Sequence, residues 1–133
     1  MKITVDYPPN FEQIDRVFGP LRHKSILYAY GDTIYNPMDV VIAPQLIAHE
    51  EMHGIQQMQH ESAESWWDLY LSNKAFRLYE ETLAHRAEYQ HMVSNAPNRF
   101  GRRMALKHVA QRLAAPLYGR IITTANAKKE LVK

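Results

Sequence analysis

The segment from Ile47 to Gln57 constrains this chain most, because it contains His49-Glu50-x-x-His53 in a stretch with helical periodicity. Residues i and i+4 of an α-helix lie above one another on one face, so the two imidazoles can converge on one tetrahedral metal ion. Glu50 lies about 100° further round the helix, where its carboxylate can reach a metal-bound water without being a ligand. A catalytic metal site needs a third protein ligand, so the fold must bring another element against this helix.

The predicted metal helix has two faces. The apolar face carries Ile47, Ile55 and Met58, and the opposite face carries the two histidines and Gln56. We expect the apolar face to enter a core and the polar face to line a cleft, where Gln56 hydrogen-bonds substrate or a neighbouring loop. Proline is well accommodated in a first helical turn, so the helix is predicted from residue 43 or 44 to about residue 60.

The composition indicates a single globular domain spanning residues 1–133, with 46% hydrophobic and 23% charged residues. There is no cysteine, so a metal site must use histidines and carboxylates. No basic and apolar signal segment is present at the N-terminus, and no apolar run approaches the roughly 18 residues that a membrane span needs. These features predict a cytoplasmic protein that is not secreted and does not contact a membrane.

Charge is distributed unevenly along the chain. Residues 1–98 contain seven Lys and Arg against thirteen Asp and Glu, whereas residues 99–133 contain nine Lys and Arg against Glu130 alone. The basic C-terminal segment, residues 99–133, is expected to form a solvated surface that offsets the acidic front half. The alternative is a weak contact with nucleic acid or an acidic partner.

The pattern along the chain predicts an α+β fold. A short strand near residues 1–7, a helix over 11–18 and a hairpin of residues 25–30 and 33–35 around Gly31-Asp32 precede the metal helix. The hairpin edge is expected to border the cleft. Helices then follow over 63–72, 74–94 and 99–115, and the tail from Gly119 is predicted to be loosely ordered. The fold is thus a small N-terminal β element, a strand plus a hairpin, on a mainly helical body of about four helices.

A continuation of the metal helix does not supply the third ligand. In the metzincin pattern a glycine three residues after the second histidine breaks the helix, and a further histidine follows three residues later. Gln56 and Gln59 occupy those two positions here. His60 lies about 10 Å along the helix axis from His53, too far to share a metal ion. We therefore reject the metzincin pattern.

The segment over residues 78–89 offers three carboxylates, on Glu80, Glu81 and Glu88. Helical periodicity places Glu80 at the edge of an apolar stripe, where a buried carboxylate needs a partner, and so slightly favours Glu80. The helix is apolar on other sides too, and periodicity leaves the choice open.

A resemblance to known families bears on this choice. His-Glu-x-x-His, then 27 intervening residues, then Glu81-x-x-Ala84 is similar to the gluzincin pattern, in which a later helix supplies a glutamate followed by a small residue. More closely, His-Glu-x-x-His-x-x-Gln with a downstream Glu-x-x-Ala-x-Arg-Ala-Glu-Tyr resembles small metallopeptidases encoded by bacteriophages and prophages. The similarity covers roughly residues 25 to 120, including the aromatic residues Trp66, Trp67 and Tyr70.

The resemblance implies a zincin-like fold, a Zn²⁺ ion held by His49, His53 and Glu81, and a peptide or protein substrate in the host cytoplasm. Glu50 would be the general acid/base that takes a proton from a zinc-activated water. The rival function is an inactive zinc-binding phage module that binds its partner through residues 99–133.

One position departs from the family pattern. Thermolysin-like enzymes often have an aspartate four residues after the ligand glutamate, which orients a ligand histidine, and this chain has His85 there. Two roles stay open for His85: stabilising an oxyanion in the cleft, or being a half-exposed helix residue.

Overall fold

The computed structural model describes residues 1–133 and has an α+β fold, as predicted. The strands are β1 (Lys2–Thr4), β2 (Tyr28–Tyr30) and β3 (Thr33–Tyr35). The helices are α1 (Phe11–Phe18), α2 (Pro44–Met58), α3 (Ala63–Ser72), α4 (Lys74–Ser94), α5 (Arg99–Leu113) and α6 (Thr124–Leu131), with a short 3₁₀ helix at Pro116–Tyr118. None of these helices combines the length and apolar character that crossing a membrane requires.

The predicted strand and hairpin form one three-stranded sheet. Strands β2 and β3 are antiparallel, and β1 lies parallel to β3 on its other side, in the order β1-β3-β2. Gly31 in the hairpin turn has φ of +64°, a left-handed conformation that glycine adopts without strain. In this strand order β1 and β2 are the edge strands, and Ile34 in the central strand β3 is fully buried.

The limits of several helices follow from their capping residues. The Ser62 side chain accepts a hydrogen bond from the Ser65 amide at the start of α3, and Asn73 does the same for the Phe76 amide at the start of α4. The predicted limits of α3 and α4 are confirmed. Helix α5 ends at Leu113, two residues before the predicted limit, and the chain then forms the 3₁₀ helix at Pro116.

Helices α2 and α4 pack along each other at the centre of the molecule. The predicted orientation of α2 is wrong, because Ile55 and Met58 are 47% and 78% exposed, whereas His49, His53 and Gln56 are buried. The polar face enters the interior because its side chains find hydrogen-bonding partners on α4. These hydrogen bonds offset the cost of removing polar groups from water.

Helix α2 is also joined to the sheet. The Gln57 Nε2 donates to the Ala29 carbonyl oxygen at 2.8 Å, and its Oε1 accepts from the Gly31 amide at 2.6 Å. At Gly54 the approach is close, since a Cβ there would lie 3.1 Å from Cε of Met1. These contacts hold the hairpin beside the turns of α2 that carry the histidines.

Two apolar clusters support this centre. The first joins α1 and the residues after it to β2 and α3, and contains Phe11, Ile14, Leu21, Tyr28, Trp66, Trp67 and Tyr70. The second joins α5 to α6 and contains Val109, Ala110, Leu113, Ala127 and Leu131. The prediction of a loosely ordered tail is therefore wrong. Helix α6, an additional helix, is held by two fully buried apolar side chains that lie four residues apart.

Candidate metal centre

The carboxylate of Glu81 on α4 lies between the imidazoles of His49 and His53 on α2. The Nε2 of His49 is 3.4 Å from Glu81 Oε1, and the Nε2 of His53 is 3.2 Å from Glu81 Oε2. Tetrahedral ligands placed about 2.1 Å from a zinc ion are about 3.4 Å from each other. The residues predicted as ligands are thus brought together with separations that suit a shared divalent ion.

The other ring nitrogen of each histidine is held by a hydrogen-bond acceptor. The Nδ1 of His49 is 3.0 Å from Glu88 Oε1, and the Nδ1 of His53 is 2.8 Å from Gln56 Oε1. Gln56 must present its oxygen to His53, because its Nε2 donates to the Glu80 carbonyl oxygen at 3.0 Å. In the neutral imidazoles the proton is therefore on Nδ1, and the lone pair of Nε2 points towards Glu81.

The carboxylate that holds His49 Nδ1 belongs to Glu88, and not to a residue four positions after Glu81. It lies seven residues after Glu81, so two helical turns keep it on the same face of α4. Its second oxygen accepts from the Arg112 guanidinium on α5, in an ion pair whose carboxylate is fully buried. The i+7 spacing from Glu81 was a usable sequence signal, but Arg112 comes from a distant element and carried no local signal.

Glu80 points away from the histidines. Its carboxylate accepts from the Trp66 indole Nε1 at 2.9 Å and is thereby directed towards α3. The partner that periodicity required for a buried Glu80 is thus an indole. The structure places Glu81, and not Glu80, beside the imidazoles.

The Glu50 carboxylate makes no hydrogen bond or ion pair within the chain and lines the same cavity as the histidines. It is 8% exposed, and burial raises its pKa above the ordinary value. A carboxylate free of protein partners and next to the candidate ligands is suited to accept and release a proton.

His85 is fully buried one helical turn after Glu81, so the expectation of a half-exposed residue is wrong. Its Nδ1 lies 2.8 Å from the Glu81 carbonyl oxygen and 3.3 Å from Glu81 Oε1. Its Nε2 has no hydrogen-bond partner, and no contact of Glu81 Oε1 is close and well aligned enough to be a hydrogen bond. Ligand atoms of His49, Glu81 and His85 lie within 4.8 Å of one another, which makes this trio a second candidate ligand set.

Two tyrosines that the sequence pattern assigned to no site lie at the centre. The Tyr70 hydroxyl of α3 donates to Glu81 Oε2. Tyr118, in the 3₁₀ helix, packs edge-on against His85 with ring centroids 5.4 Å apart. Burial and the negative charge of Glu81 raise the pKa of both hydroxyls well above the ordinary value, so both remain protonated donors.

The pKa values of His49, His53 and Glu81 are shifted by burial and by one another's charges. Burial alone lowers the pKa of His49, but the carboxylates of Glu81 and Glu88 outweigh burial and raise it to about 10. The same competition between burial and Glu81 raises the pKa of His53. Burial raises the pKa of Glu81, but the neighbouring imidazoles of His53 and His49 lower it by more. Glu81 therefore stays ionised. Protons on the imidazoles therefore compete with any cation that Glu81 binds.

The centre opens on a cavity of about 70 Å³. Its polar end is formed by His49, Glu50, His53 and Glu81, but twelve of its sixteen lining residues are hydrophobic. An apolar cavity that accommodates benzene measures about 150 Å³. The space beside Glu50 therefore suits an ion and water, and it is too small for a large side chain.

The remaining histidines lie elsewhere. His23 and His108 are exposed, His91 is near the end of α4, and the His60 ring packs on Phe76, 5.5 Å between centroids. None of the four takes part in the candidate centre. The structure thus brings together His49, Glu50, His53 and Glu81, the residues predicted from the sequence, and leaves His60 apart from them.

No protein-family model, curated protein or solved structure matches the chain.

Proposed function

We propose that this chain is a zincin-like metallopeptidase in which His49, His53 and Glu81 hold a zinc ion. The observation that carries the proposal is the position of Glu81 between two Nε2 atoms whose Nδ1 atoms are both held by acceptors. Metal-binding histidines typically have this arrangement, because the outer hydrogen bond fixes the tautomer and the ring orientation. The buried Glu81 Oε1, which has no hydrogen-bond partner, also fits a site that a cation completes.

We prefer His53 to His85 as the second histidine ligand. The Nδ1 of His53 has a side-chain acceptor in Gln56, and its Nε2 faces Glu81. The Nδ1 of His85 is instead engaged by the backbone of Glu81. His85 then lies beside the ligand glutamate and His49, where its contact with the Glu81 carbonyl oxygen supports the position of α4.

Zinc in this position would supply a Lewis acid that polarises a substrate carbonyl and makes a bound water acidic. The chain's own residues would do the rest. Glu50 accepts the proton of the attacking water and passes it to the leaving amine of the peptide bond. Glu88 and Gln56 hold the imidazoles in orientation, and the Tyr70 hydroxyl fixes the rotamer of Glu81.

The test compares zinc-loaded native protein with Glu50→Gln on an unfolded polypeptide substrate such as reduced casein. We expect cleavage by the native chain and none by Glu50→Gln, with equal zinc content in both. His53→Ala should lose zinc, whereas His85→Ala should retain it. No cleavage by zinc-loaded native protein over a broad panel of unfolded polypeptides would overturn the peptidase proposal.

A second candidate function is partner binding through the basic C-terminal segment, by an inactive zinc-binding phage module. The supporting observation is that four exposed basic residues on α5 have no carboxylate within ion-pair distance: Arg99, Arg102, Arg103 and Lys107. Phosphate contacts would give binding that weakens steeply with salt. Nucleic-acid affinity that falls with salt, and falls further in Arg103→Gln with Lys107→Gln, would favour this function.

A further inference from the structure

Residues 8–27, called here the lid segment, form a unit that is hydrogen-bonded almost entirely within itself. Asp15 accepts from the Leu21 amide through Oδ1 and from the Gly19 amide through its carbonyl oxygen, each at 2.7 Å. The Arg22 guanidinium donates to Glu12 at 3.0 Å. The hydrogen bond that leaves the segment goes only to its neighbour, from the His23 amide to the Tyr7 hydroxyl.

The lid segment contacts the rest of the protein through apolar and aromatic groups. Phe11, Ile14 and Leu21 are buried against β2 and α3. The Arg77 guanidinium of α4 lies over the Phe18 ring, 4.7 Å from its centroid. No hydrogen bond or salt bridge joins the lid segment to α2, α3 or α4, so its separation from them breaks only apolar, aromatic and cation–π contacts.

Some buried polar groups of the lid segment and of β2 also lack hydrogen-bond partners. Five buried side-chain polar atoms in the whole chain have no hydrogen-bond partner. Two of them are at the candidate metal centre, and the other three are both amide atoms of Asn10 and the hydroxyl of Tyr28, whose ring packs on Phe11. Separation of the lid segment from β2 would let water reach these groups, which lowers the cost of opening.

The lid segment lines the cavity beside the candidate metal centre. Ile14, Phe18 and Leu21 form an apolar wall of this cavity, which Trp67 and Tyr70 of α3 also line. The cavity measures only about 70 Å³, which is less space than a peptide needs to reach Glu50 through it. Displacement of the lid segment would expose an aromatic surface directly beside the ligands.

The edge of β2 does not offer an alternative binding surface. The Ala29 carbonyl oxygen, which faces the free edge of the sheet, already accepts from Gln57 Nε2 at 2.8 Å and from Trp67 Nε1 at 3.0 Å. An extended peptide therefore cannot pair with this strand through that carbonyl. The apolar wall remains as the surface that can recognise substrate.

We propose that residues 8–27 are a mobile lid over the candidate centre, and that the aromatic surface beneath them binds an apolar side chain of the substrate. The mobility of the lid does not depend on the proposed function, whereas the preference for an apolar substrate side chain rests on the proposed function. Substrate side chains would replace the contacts that Ile14 and Phe18 make in the closed state.

Hydrogen–deuterium exchange of the native protein tests the lid directly. The amides of Gly19 and Leu21 should exchange at least about 10-fold faster than those in the middle of α4, through a partial opening that leaves α4 protected. Asp15→Ala should speed exchange throughout residues 8–27 and leave α4 unchanged. Asp6→Ala, which removes an exposed carboxylate bonded only to Thr4, is the control. Equal protection of the lid segment and α4 would overturn the lid.

Two hydroxamates test the surface beneath the lid. Acetohydroxamate and benzohydroxamate bind zinc through the same group and differ in the apolar part. Binding of the aromatic ring beneath the lid should make benzohydroxamate at least about 10-fold tighter on the zinc-loaded protein. Equal affinities would overturn the apolar preference while leaving the zinc site intact. Zinc-loaded protein that binds neither compound would contradict the proposed function, and the exchange experiment would still decide the lid.

Discussion

The buried pair of Glu88 and Arg112 offers a sharp prediction about the candidate centre. Glu88→Gln keeps an oxygen that can accept from His49 Nδ1, but it removes the charge that makes the imidazole more basic. Loss of such an outer partner typically weakens metal binding about 10- to 100-fold, equivalent to about 1.4–2.8 kcal/mol. Because Glu88 is fully buried and Arg112 is only partly buried, the released guanidinium can rehydrate, and folding should survive.

The assay is competition for zinc between the protein and a chromophoric chelator, with Glu51→Gln as the control because Glu51 lies exposed on α2. The zinc affinity of Glu88→Gln should fall by the stated factor, and that of Glu51→Gln should match the native chain. Arg112→Met should change the zinc affinity less than Glu88→Gln does, since Arg112 acts on His49 only through Glu88. Unchanged affinity in a folded Glu88→Gln protein would refute the reasoning that Glu88 tunes His49.

Three further predictions concern stability. Gln57→Leu removes the hydrogen bonds to Ala29 and Gly31 and should lower the free energy of unfolding by about 1–3 kcal/mol in a denaturant titration; no change would show that the hairpin is held otherwise. Leu131→Ala should cost about 2–5 kcal/mol, because this side chain is 1% exposed in the α5–α6 cluster, and a loose tail would instead give no change. The raised pKa of His49, about 10 against an ordinary 6.5, stabilises the zinc-free protein fully below pH 6.5. That stabilisation should disappear as the pH rises towards 10, and the difference between native protein and His49→Ala in urea titrations checks it.

Much of the fold followed from local signals. Proline, glycine and cap residues mark the ends of the elements, so the limits of α2, α3 and α4 could be predicted to within about two residues, and those of the hairpin to within three. The 8-residue α6 was not predicted from these signals. The short α6 has only Ala127 and Leu131 as an apolar stripe, and its stability comes from packing on α5, which no local pattern reveals.

The orientation of α2 shows a different limit. A helical wheel assigns the apolar face to the core by default, yet here Met58 faces solvent and Gln56 is buried. The reversal depends on partners such as the Glu80 carbonyl oxygen, which lies 24 residues later in the chain. Polar burial of this kind is a property of assembled tertiary contacts, so periodicity alone could not predict it.

The candidate ligands were predictable for a chemical reason, and their supports were not. The i, i+4 spacing identifies His49 and His53 from the sequence, and Glu81 came from the resemblance to phage metallopeptidases, against the slight preference of periodicity for Glu80. The hydrogen bond from the Trp66 indole explains why periodicity favoured Glu80, since Glu80 is indeed buried but faces α3 and not the histidines. Contacts across different helices decide between such adjacent carboxylates.

The most direct measurement of the central claim is the zinc content of native protein, Glu81→Gln and Glu80→Gln after purification and loading with one equivalent of zinc. Both substitutions preserve size, and Glu80→Gln keeps an oxygen for the Trp66 indole. We predict about one zinc per chain in the native protein and in Glu80→Gln, and loss of stable binding in Glu81→Gln. Native protein that takes up no zinc, or zinc retained by Glu81→Gln at native affinity, would contradict the assignment of His49, His53 and Glu81 as a metal centre.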